Sequence, residues 1–284
     1  MEDGTIWHNQ KHIREFRIIQ KEGEREKRGI VMDCGNLKEL WKEEERNVFK
    51  GWDFSHLKNR WYDEELPWDY KDILRNYLNS DYKLLDMGTG GGEFLLSLNH
   101  PYNNTSVTEM WEPNVQLCKE KLEPLGIEVK QVFNDDKLPF ENDTFDIIIN
   151  RHESFYIEEV RRILKPNGVF ITQQVGGKNN EILSKALLKD FNPEFPDNTL
   201  DIRLTEIEKN FFEVLYAREY FPFLRFKDVG AIVYFAKIIE WEFPNFSVDS
   251  CFKELCELNE EIKIKGYVES IEHRFIIVCR RRSN

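Results

Sequence analysis

The stretch of residues 84–93, LLDMGTGGGE, constrains the fold of this chain more than any other part of it. An apolar run rich in strand-forming residues stops at Asp86, passes through a glycine-rich loop and leads into an amphipathic helix predicted from Glu93 to Asn99. Backbone N–H groups at such a strand-to-helix turn are available to hold nucleotide-like ligands. The stretch therefore predicts a ligand-binding loop.

The spacing of the glycines differs from that of a dinucleotide-binding loop. Gly88, Gly90 and Gly92 give the pattern G-x-G-x-G. A dinucleotide fingerprint, G-x-G-x-x-G, would have its third glycine where this chain has Glu93. Glycine spacing alone is a weak signal, so the interpretation depends on the residues that follow.

Length and charge exclude some classes of protein. The chain has 284 residues, enough to bury a substantial core in one domain with additions. The formal net charge of −12 disfavours nonspecific binding to nucleic acid, because Lys and Arg supply most of that affinity. A local basic patch remains open in Lys11 to Arg28, which is either a solvated arm or a frayed basic helix.

The cysteines and the apolar runs indicate the compartment. The five cysteines are odd in number and contain no C-x-x-C pair, so neither a disulfide framework nor a metal site is predicted. Met1 to Gln10 lacks the apolar region of a signal peptide, and the longest apolar run, Val229 to Ile239, is too short to span a bilayer. We therefore expect a cytoplasmic protein with no membrane segment.

From residue 82 onward, strand and helix patterns alternate regularly. Strands are predicted at about 82–87, 105–110, 127–133, 145–150 and 168–174, and helices at about 92–99, 113–124 and 153–164. Repeated βα units imply a parallel sheet with helices on both faces. Ligands of such sheets bind beyond the carboxyl ends of the strands.

Helices are also predicted on either side of an aromatic segment that precedes the sheet. A capping box of Asn36 with Glu39 predicts a helix over 37–48, and the spacing of apolar residues predicts another over 70–78. The tryptophan-rich segment between them either packs over the core or forms the wall of a pocket, and packing is the commoner role of such residues.

The last third of the chain departs from this regular alternation. Strands are predicted at 211–220 and 273–280. Residues 221–270, which lie between them, are rich in aromatic side chains and are predicted to form an insertion folded over the sheet. Within this insertion, Asp249 is in a position to cap a helix.

An acid closes the second predicted strand of the alternating region. Glu109 lies 21 residues after Gly88. A carboxylate about 20 residues after a glycine loop accepts hydrogen bonds from vicinal ribose hydroxyls. The alternative is an exposed charge at a strand end, but the joint occurrence of loop and acid favours a nucleotide site.

Polar residues also lie at the ends of the fourth and fifth predicted strands, 145–150 and 168–174. Asn150, His152 and Glu153 follow the strand at 145–150, and His and Glu side chains are both able to accept a proton from a nucleophile. His152 and Glu153 are therefore candidate catalytic residues, although both also suit the start of a helix. Gln173 or Gln174 either contacts a substrate or is a surface amide.

Three segments together resemble the class I S-adenosylmethionine (SAM) dependent methyltransferases. Asp86 with the glycine loop resembles motif I of that family. Residues 133–140, FNDDKLPF, resemble its segment G-D-A-E-x-L-P-F, and residues 162–168, RILKPNG, resemble its R-x-L-K-P-G-G turn. Asn167 replaces the first glycine of that turn, and asparagine tolerates the left-handed backbone. The resemblance covers about residues 82–175.

This resemblance implies a fold. The family has an α/β, Rossmann-like, doubly wound sheet of seven mostly parallel strands, with the last strand antiparallel. For this chain it implies such a core with an N-terminal helical extension and a cap insertion. The expected division is an extension over residues 1–80, a SAM-binding core over 81–220, the cap over 221–270, and a final core strand over 271–284.

The resemblance also implies SAM as the cofactor. In the family, the Asp of the second segment accepts a hydrogen bond from the adenine amino group. Asn134 occupies that position and Asp135 follows it with a backbone N–H, unless a slip of one residue gives the role to Asp135. The residues expected to contact SAM are Asp86, Gly88, Thr89, Gly90, Gly92, Glu109, Met110, Asn134, Asp135 and Asn150.

The sequence favours a methyltransferase whose acceptor is a small, partly apolar or aromatic molecule, because the chain is acidic and its predicted cap is aromatic. Two alternatives stay open: methylation of an RNA base or a protein side chain, and a SAM-binding protein without catalysis. The acceptor atom and the oligomeric state are not predicted.

Overall fold

A computed structural model describes residues 34–47 and 54–283. Its α-helices are α1 Cys34–Arg46, α2 Tyr70–Arg75, α3 Glu93–Ser97, α4 Glu112–Lys121, α5 Ile157–Ile163, α6 Glu181–Leu187, α7 Leu200–Lys209, α8 Val229–Ile238 and α9 Phe252–Lys265. Short 3-10 turns lie at Ser55–Leu57, Tyr102–Asn104 and Glu123–Leu125. The basic stretch Lys11 to Arg28 and the first tryptophan of the aromatic segment, Trp52, lie outside the described residues.

The strands fall into two sheets. They are β1 Trp61–Asp63, β2 Leu84–Met87, β3 Thr105–Glu109, β4 Glu128–Gln131, β5 Phe145–Arg151, β6 Leu164–Val175, β7 Phe212–Tyr220, β8 Phe223–Phe226, β9 Val268–Ile271 and β10 Arg274–Arg281. The larger sheet has seven strands in the order β4-β3-β2-β5-β6-β10-β7. The smaller sheet has the order β1-β8-β9.

The large sheet confirms the predicted Rossmann-like fold. Its strands β2 to β6 pair in parallel, whereas β10 is antiparallel to both of its neighbours, β6 and β7. The last strand therefore enters the sheet between two earlier ones. Because β10 runs the opposite way, its first residues lie at the same edge as the carboxyl ends of β5 and β6.

The core covers both faces of this sheet. Leu85 and Ile148 belong to one cluster of buried side chains, and Leu84, Ile147 and Ile149 belong to the other. Successive residues of a strand point to opposite faces, so strands buried on both sides consist of continuous apolar runs. This explains why IIIN at the end of β5 has no polar alternation.

The smaller sheet joins distant parts of the chain. β1, which precedes the large sheet in sequence, pairs with β8, and β8 pairs with β9; both pairings are antiparallel. β8, α8 and α9 lie within residues 221–270, and β9 ends one residue beyond that range, at Ile271. The described residues from Trp41 onward belong to one compact unit, which contains both sheets. The finer division into extension, core and cap stays a prediction.

Three helix starts differ from the sequence prediction. α1 begins at Cys34, so Asn36 lies inside the helix and does not cap it. α9 begins at Phe252, and Asp249 instead forms an ion pair with Lys42 at 2.9 Å. α5 begins at Ile157 and not near residue 153, because the chain is not yet helical at Tyr156, whose backbone is extended with a φ of −102° and a ψ of 116°.

Two further features bear on the predictions. Asn167 has a φ of 64°, the left-handed backbone expected at the position of the family's glycine. Among the described residues, no helix is both long enough and apolar enough to cross a membrane. The cytoplasmic location stays a prediction.

Candidate functional site

The glycine loop connects β2 to α3 with an open surface. Gly88, Gly90 and Gly92 have φ values of 66°, 61° and 75°, a backbone that side chains other than glycine rarely adopt. A Cβ atom added to Gly90 would meet no atom within 4 Å. The Cys118 thiol donates a hydrogen bond to the Gly90 carbonyl at 3.0 Å, which supports the loop from α4. The loop is therefore supported by α4 on one side and open to a ligand at Gly90 on the other.

Glu109, at the end of β3, binds this loop directly. Its Oε2 accepts a hydrogen bond from the Gly90 N–H at 2.8 Å. Its Oε1 accepts from the N–H groups of Met110 and Trp111 at 3.0 and 3.2 Å. The side chain is only 6% exposed. A carboxylate offers about four lone-pair sites, so Oε2 keeps one acceptor site for a further donor.

Asp86, at the other side of the loop, is a buried acid with an unusual proton affinity. Burial raises the pKa of Asp86 to about 7, the charge of Glu109 adds to the rise, and Thr89 and Arg151 offset part of it. The Thr89 Oγ1 is buried beside the Asp86 carboxyl, whose pKa it lowers by hydrogen bonding, and it has no other partner among the described residues. The loop thus places a buried carboxyl group and a buried hydroxyl group side by side.

The segment after β4 distinguishes the two candidates for the adenine contact. Asn134 is exposed, and its Oδ1 accepts a hydrogen bond from the Asp136 N–H at 3.3 Å. Asp135 is buried and accepts a hydrogen bond from the Ser154 hydroxyl. Burial raises the pKa of Asp135, and Asp136 adds to the rise while Ser154 opposes it. Asp135 therefore points inward and Asn134 outward.

Large apolar side chains stand exposed at the same sheet edge. Met110 and Trp111, just after β3, are 42% and 52% exposed, and Phe133, just after β4, is 79% exposed. β3 and β4 are neighbours, with Glu109 paired to Gln131. Exposed apolar groups beside polar ones are typical of a ligand site. Of these three side chains, the sequence prediction included only Met110.

Asn150 is buried inside the protein network. It is fully buried, and its Oδ1 accepts hydrogen bonds from Thr172 Oγ1 at 2.9 Å and Gln174 Nε2 at 2.7 Å. Its Nδ2 donates to the Ser154 carbonyl at 3.3 Å. The side chain predicted to contact SAM thus supports the strand ends beneath the site.

His152 is held by a chain of side-chain hydrogen bonds. Gln173 Oε1 accepts from the Trp68 indole at 2.8 Å, and Gln173 Nε2 lies 3.1 Å from His152 Nε2. Because the amide oxygen accepts from Trp68, the amide nitrogen donates to His152 Nε2, which assigns the ring proton to Nδ1. Nε2 is therefore occupied as an acceptor and is not free to take a proton from a substrate.

The charge state of His152 follows from its surroundings. Its surface is open to a cavity, but protein atoms displace most of the bulk water around it. This desolvation, together with the positive charges of Arg274 and Arg151, holds the pKa of His152 well below its usual value. The ring is therefore neutral near pH 7.

Glu153 lies at the glycine loop and not beside His152 in the cavity. A Cβ atom added to Gly88 would come within 2.5 Å of Glu153 Cγ, so the side chain covers that glycine. Burial raises the pKa of Glu153, and the charges of Asp135 and Glu109 add to the rise. The structure thus separates the two predicted catalytic residues into different parts of the site.

A cavity of about 280 Å³ adjoins His152. Gln173 and Arg274 line it from the large sheet, together with His152 just after β5 and Glu272 just before β10. Trp61 and other residues of the segment 61–66 line it from the other side with Leu224. The sequence prediction missed Glu272 and Arg274. The signal that identifies them is the antiparallel β10, whose start lies at the carboxyl end of β6, with Arg274 paired to Val175.

Comparisons with known proteins agree with this geometry. Residues 85–172 match a family model described as a methyltransferase domain. The chain is similar to ribosomal RNA small subunit methyltransferase G of Chlorobaculum tepidum, with 26% identity over 136 residues, 46% of this chain and 62% of that protein. It is also similar to carboxy-S-adenosyl-L-methionine synthase of Nautilia profundicola, with 25% identity over 128 residues, 41% of this chain and 54% of that protein.

A solved structure gives the same fold. The YcgJ protein of Bacillus subtilis aligns with a TM-score of 0.51 and 16% identity over 76% of this chain and 99% of that one. The chain spans less than two thirds of the two curated relatives. Residues 85–172 belong to the class I SAM-dependent methyltransferases, and the cofactor of this domain is SAM.

The residues at the loop fit this cofactor. The open space above Gly90 provides room for a ligand, and the Thr89 hydroxyl and Asp86 carboxyl provide polar groups beside it. Glu109 provides an acceptor at the position expected for ribose. SAM carries a sulfonium and an ammonium group, and the carboxyl groups of Asp86, Glu109 and Glu153 lie at the loop, where a bound cation would favour their ionised forms.

The raised pKa of Asp86 predicts a measurable cost in stability. The folded state binds the proton more tightly than the unfolded state, so stability from this group is lost as the pH rises from about 4 to about 7. In the absence of SAM, Asp86→Asn should therefore raise the free energy of unfolding, and by about 2 kcal/mol more at pH 8 than at pH 5. Urea denaturation at both pH values measures the difference.

Asp190→Asn is the matched control for this substitution, because Asp190 is exposed. Its effect should be small and equal at the two pH values. An Asp86→Asn effect that does not change with pH would show that Asp86 ionises as an ordinary acid.

Proposed function

We propose that this chain transfers a methyl group from SAM to a small molecule bound in the cavity beside His152. The observation that carries the proposal is the arrangement of two adjoining spaces at one sheet edge. The open glycine loop with Glu109 is the donor side, and the cavity of about 280 Å³ is the acceptor side. His152 and Glu153, adjacent in sequence, contact one space each.

The donor contacts follow from the positions of the polar groups. We assign the ribose hydroxyls to Glu109, whose Oε2 has an acceptor site to spare. We assign the adenine amino group to Asp135 in place of Asn134, because Asp135 points inward. Met110, Trp111 and Phe133 supply the exposed apolar surface that a purine ring covers.

Little acid–base chemistry is needed in this mechanism. SAM, when bound, supplies an electrophilic methyl group on its sulfonium, which a lone pair attacks in line. The protein's part is to hold the acceptor in place and to keep water out, and these effects lower the barrier substantially. His152 forms part of one cavity wall and is fixed there by hydrogen bonds through Gln173 to Trp68. We therefore propose that it positions the acceptor and does not remove a proton from it.

A small acceptor is favoured over RNA by charge. Asp63, Glu64, Glu65 and Glu272 line the cavity with Arg274, and the whole chain has a formal charge of −12. Phosphate groups are repelled by such a surface, since nucleic-acid affinity depends on neutralisation by Lys and Arg. The name of the Chlorobaculum relative keeps RNA as the second candidate, although the basic stretch that supported it lies outside the described residues.

The donor contacts give one test. Asp135→Ala should weaken SAM binding about tenfold, since it removes one charged hydrogen bond to the ligand. Asn134→Ala, the neighbouring control, should change the dissociation constant less than twofold. Isothermal titration calorimetry with SAM measures both. The reverse order of effects would give the adenine contact to Asn134 and contradict the assignment.

The transfer reaction gives the second test. With methyl-labelled SAM and a cell extract divided into small molecules, RNA and protein, label should enter the small-molecule fraction, and its rate should change little with salt. Label in RNA that falls steeply as salt rises would support the RNA alternative. SAM binding without any transfer would indicate a non-catalytic SAM-binding protein.

A further inference from the structure

The lining of the cavity has an excess of negative charge. Asp63, Glu64, Glu65 and Glu272 contribute carboxylates, and Arg274 contributes the one guanidinium among the described lining residues. His152 is neutral near pH 7 because its pKa is lowered by desolvation and by nearby arginines. The cavity therefore has a formal excess of three negative charges at the place where the acceptor is proposed to bind.

The guanidinium of Arg274 is already paired with groups of the protein itself. Its Nη2 forms an ion pair with Glu272. Its Nη1 donates hydrogen bonds to Asn179 Oδ1 and to the His273 carbonyl, the latter at 3.1 Å. Asn179 in turn is held by the buried Glu242, with Nδ2 to Oε1 at 2.6 Å. Arg274 is thus fixed within the wall and is poorly placed to receive an acidic acceptor.

The carboxylates differ in how far they are satisfied. Glu64 accepts hydrogen bonds from the Tyr220 hydroxyl at 2.8 Å and from the Phe223 N–H at 3.3 Å. The side-chain carboxylates of Asp63 and Glu65 make no hydrogen bond or ion pair with the described residues, although the Asp63 backbone pairs with Leu224 in the smaller sheet. Their charges are therefore available to a ligand.

The position of Asp63 relative to Glu272 supports a cation between them. Burial raises the pKa of Glu272, and the negative charge of Asp63 adds to the rise although Arg274 opposes it. The two carboxylates are thus close enough to repel each other within the cavity. A bound cation would relieve this repulsion.

An aromatic ring completes the wall. Trp61 lines the cavity and is fixed by ring contacts with Phe54, Phe226 and Phe235, at centroid distances of 5.6, 6.0 and 5.7 Å. Carboxylates together with an indole ring are the groups that bind organic ammonium ions, by charge and by cation–π attraction. Leu66 and Leu224 add apolar surface for the carbon skeleton.

We propose that the acceptor is a small primary or secondary amine, which enters this cavity as a cation and is methylated on nitrogen. The proposal rests on the proposed function, because it needs SAM beside His152. The ammonium form first loses a proton to water through Asp63 or Glu65. The nitrogen lone pair then forms the N–CH₃ bond while the C–S bond breaks, and that electron pair stays on sulfur to give S-adenosylhomocysteine.

Binding tests this proposal without turnover. Primary amines from butylamine to phenethylamine are compared with the alcohols and carboxylates of the same carbon skeletons, by ligand-observed NMR with S-adenosylhomocysteine present. The amines should bind and the matched probes should not. The double variant Asp63→Asn/Glu65→Gln should weaken amine binding at least tenfold, because two charges facing the cation are removed.

Glu208→Gln on α7 is the control, because Glu208 is exposed and lies outside the cavity lining. It should leave amine binding unchanged. Since Asp63 and Glu65 are also exposed, the double variant should keep the melting temperature of the wild type. Amine binding that is equal in the double variant and the wild type would overturn the proposal.

Turnover separates this proposal from the proposed function. S-adenosylhomocysteine should form from SAM when an amine is added, and not with the matched alcohol or carboxylate. Turnover with an alcohol, a carboxylate or RNA, but not with amines, would overturn the amine assignment and leave the methyltransferase function standing. Failure of SAM itself to bind in calorimetry would contradict both.

Discussion

The carboxylate of Glu109 holds the donor side of this protein together. It accepts hydrogen bonds from the backbone of Gly90 in the loop and from Met110 and Trp111 after β3. Glycines lose more conformational freedom on folding than other residues, so a loop with three of them needs such a restraint. Without Glu109, these three N–H groups would lose their protein acceptor. The same carboxylate is the group best placed to accept from a ribose.

The order of the strands creates the acceptor side. β10 lies antiparallel between β6 and β7. This brings Arg274 and Glu272 to the sheet edge that contains Gln173, near the carboxyl end of β6. The smaller sheet brings Trp61 and Asp63 to the opposite wall. The donor loop uses residues close together in sequence, whereas the cavity uses residues about 200 positions apart. Such a division is expected of a fold that combines one kind of cofactor site with different acceptor sites in different proteins.

Local patterns predicted the donor side well. The apolar run at Leu84, the glycine spacing and Glu109 are all short-range signals, and the strands of the parallel sheet were predicted within a few residues. Asn167 was predicted to be left-handed and is. The predicted start of α5 was wrong because the chain is still extended at Tyr156, and no local pattern of apolar residues shows this.

The rest depends on contacts that sequence spacing does not specify. Whether Asn134 or Asp135 points inward is decided by the irregular turn after β4, where a shift of one residue reverses the side chains. The cavity had been expected to be partly apolar or aromatic from the composition of residues 221–270. Its lining does include Trp61, Leu66 and Leu224, but it also has four carboxylates that the composition did not predict. Asp63 comes from β1 and Glu272 from the residues just before β10, so these groups meet although they are far apart in the sequence.

A crystal structure with S-adenosylhomocysteine tests the central claim most directly. We expect both ribose hydroxyls within about 3 Å of the Glu109 carboxylate, and the sulfur directed towards the cavity at His152. The ribose hydroxyls need not displace the Gly90 N–H from Glu109, since Oε2 has a spare acceptor site. A nucleoside bound away from Glu109, or a sulfur directed away from the cavity, would contradict this account of the site.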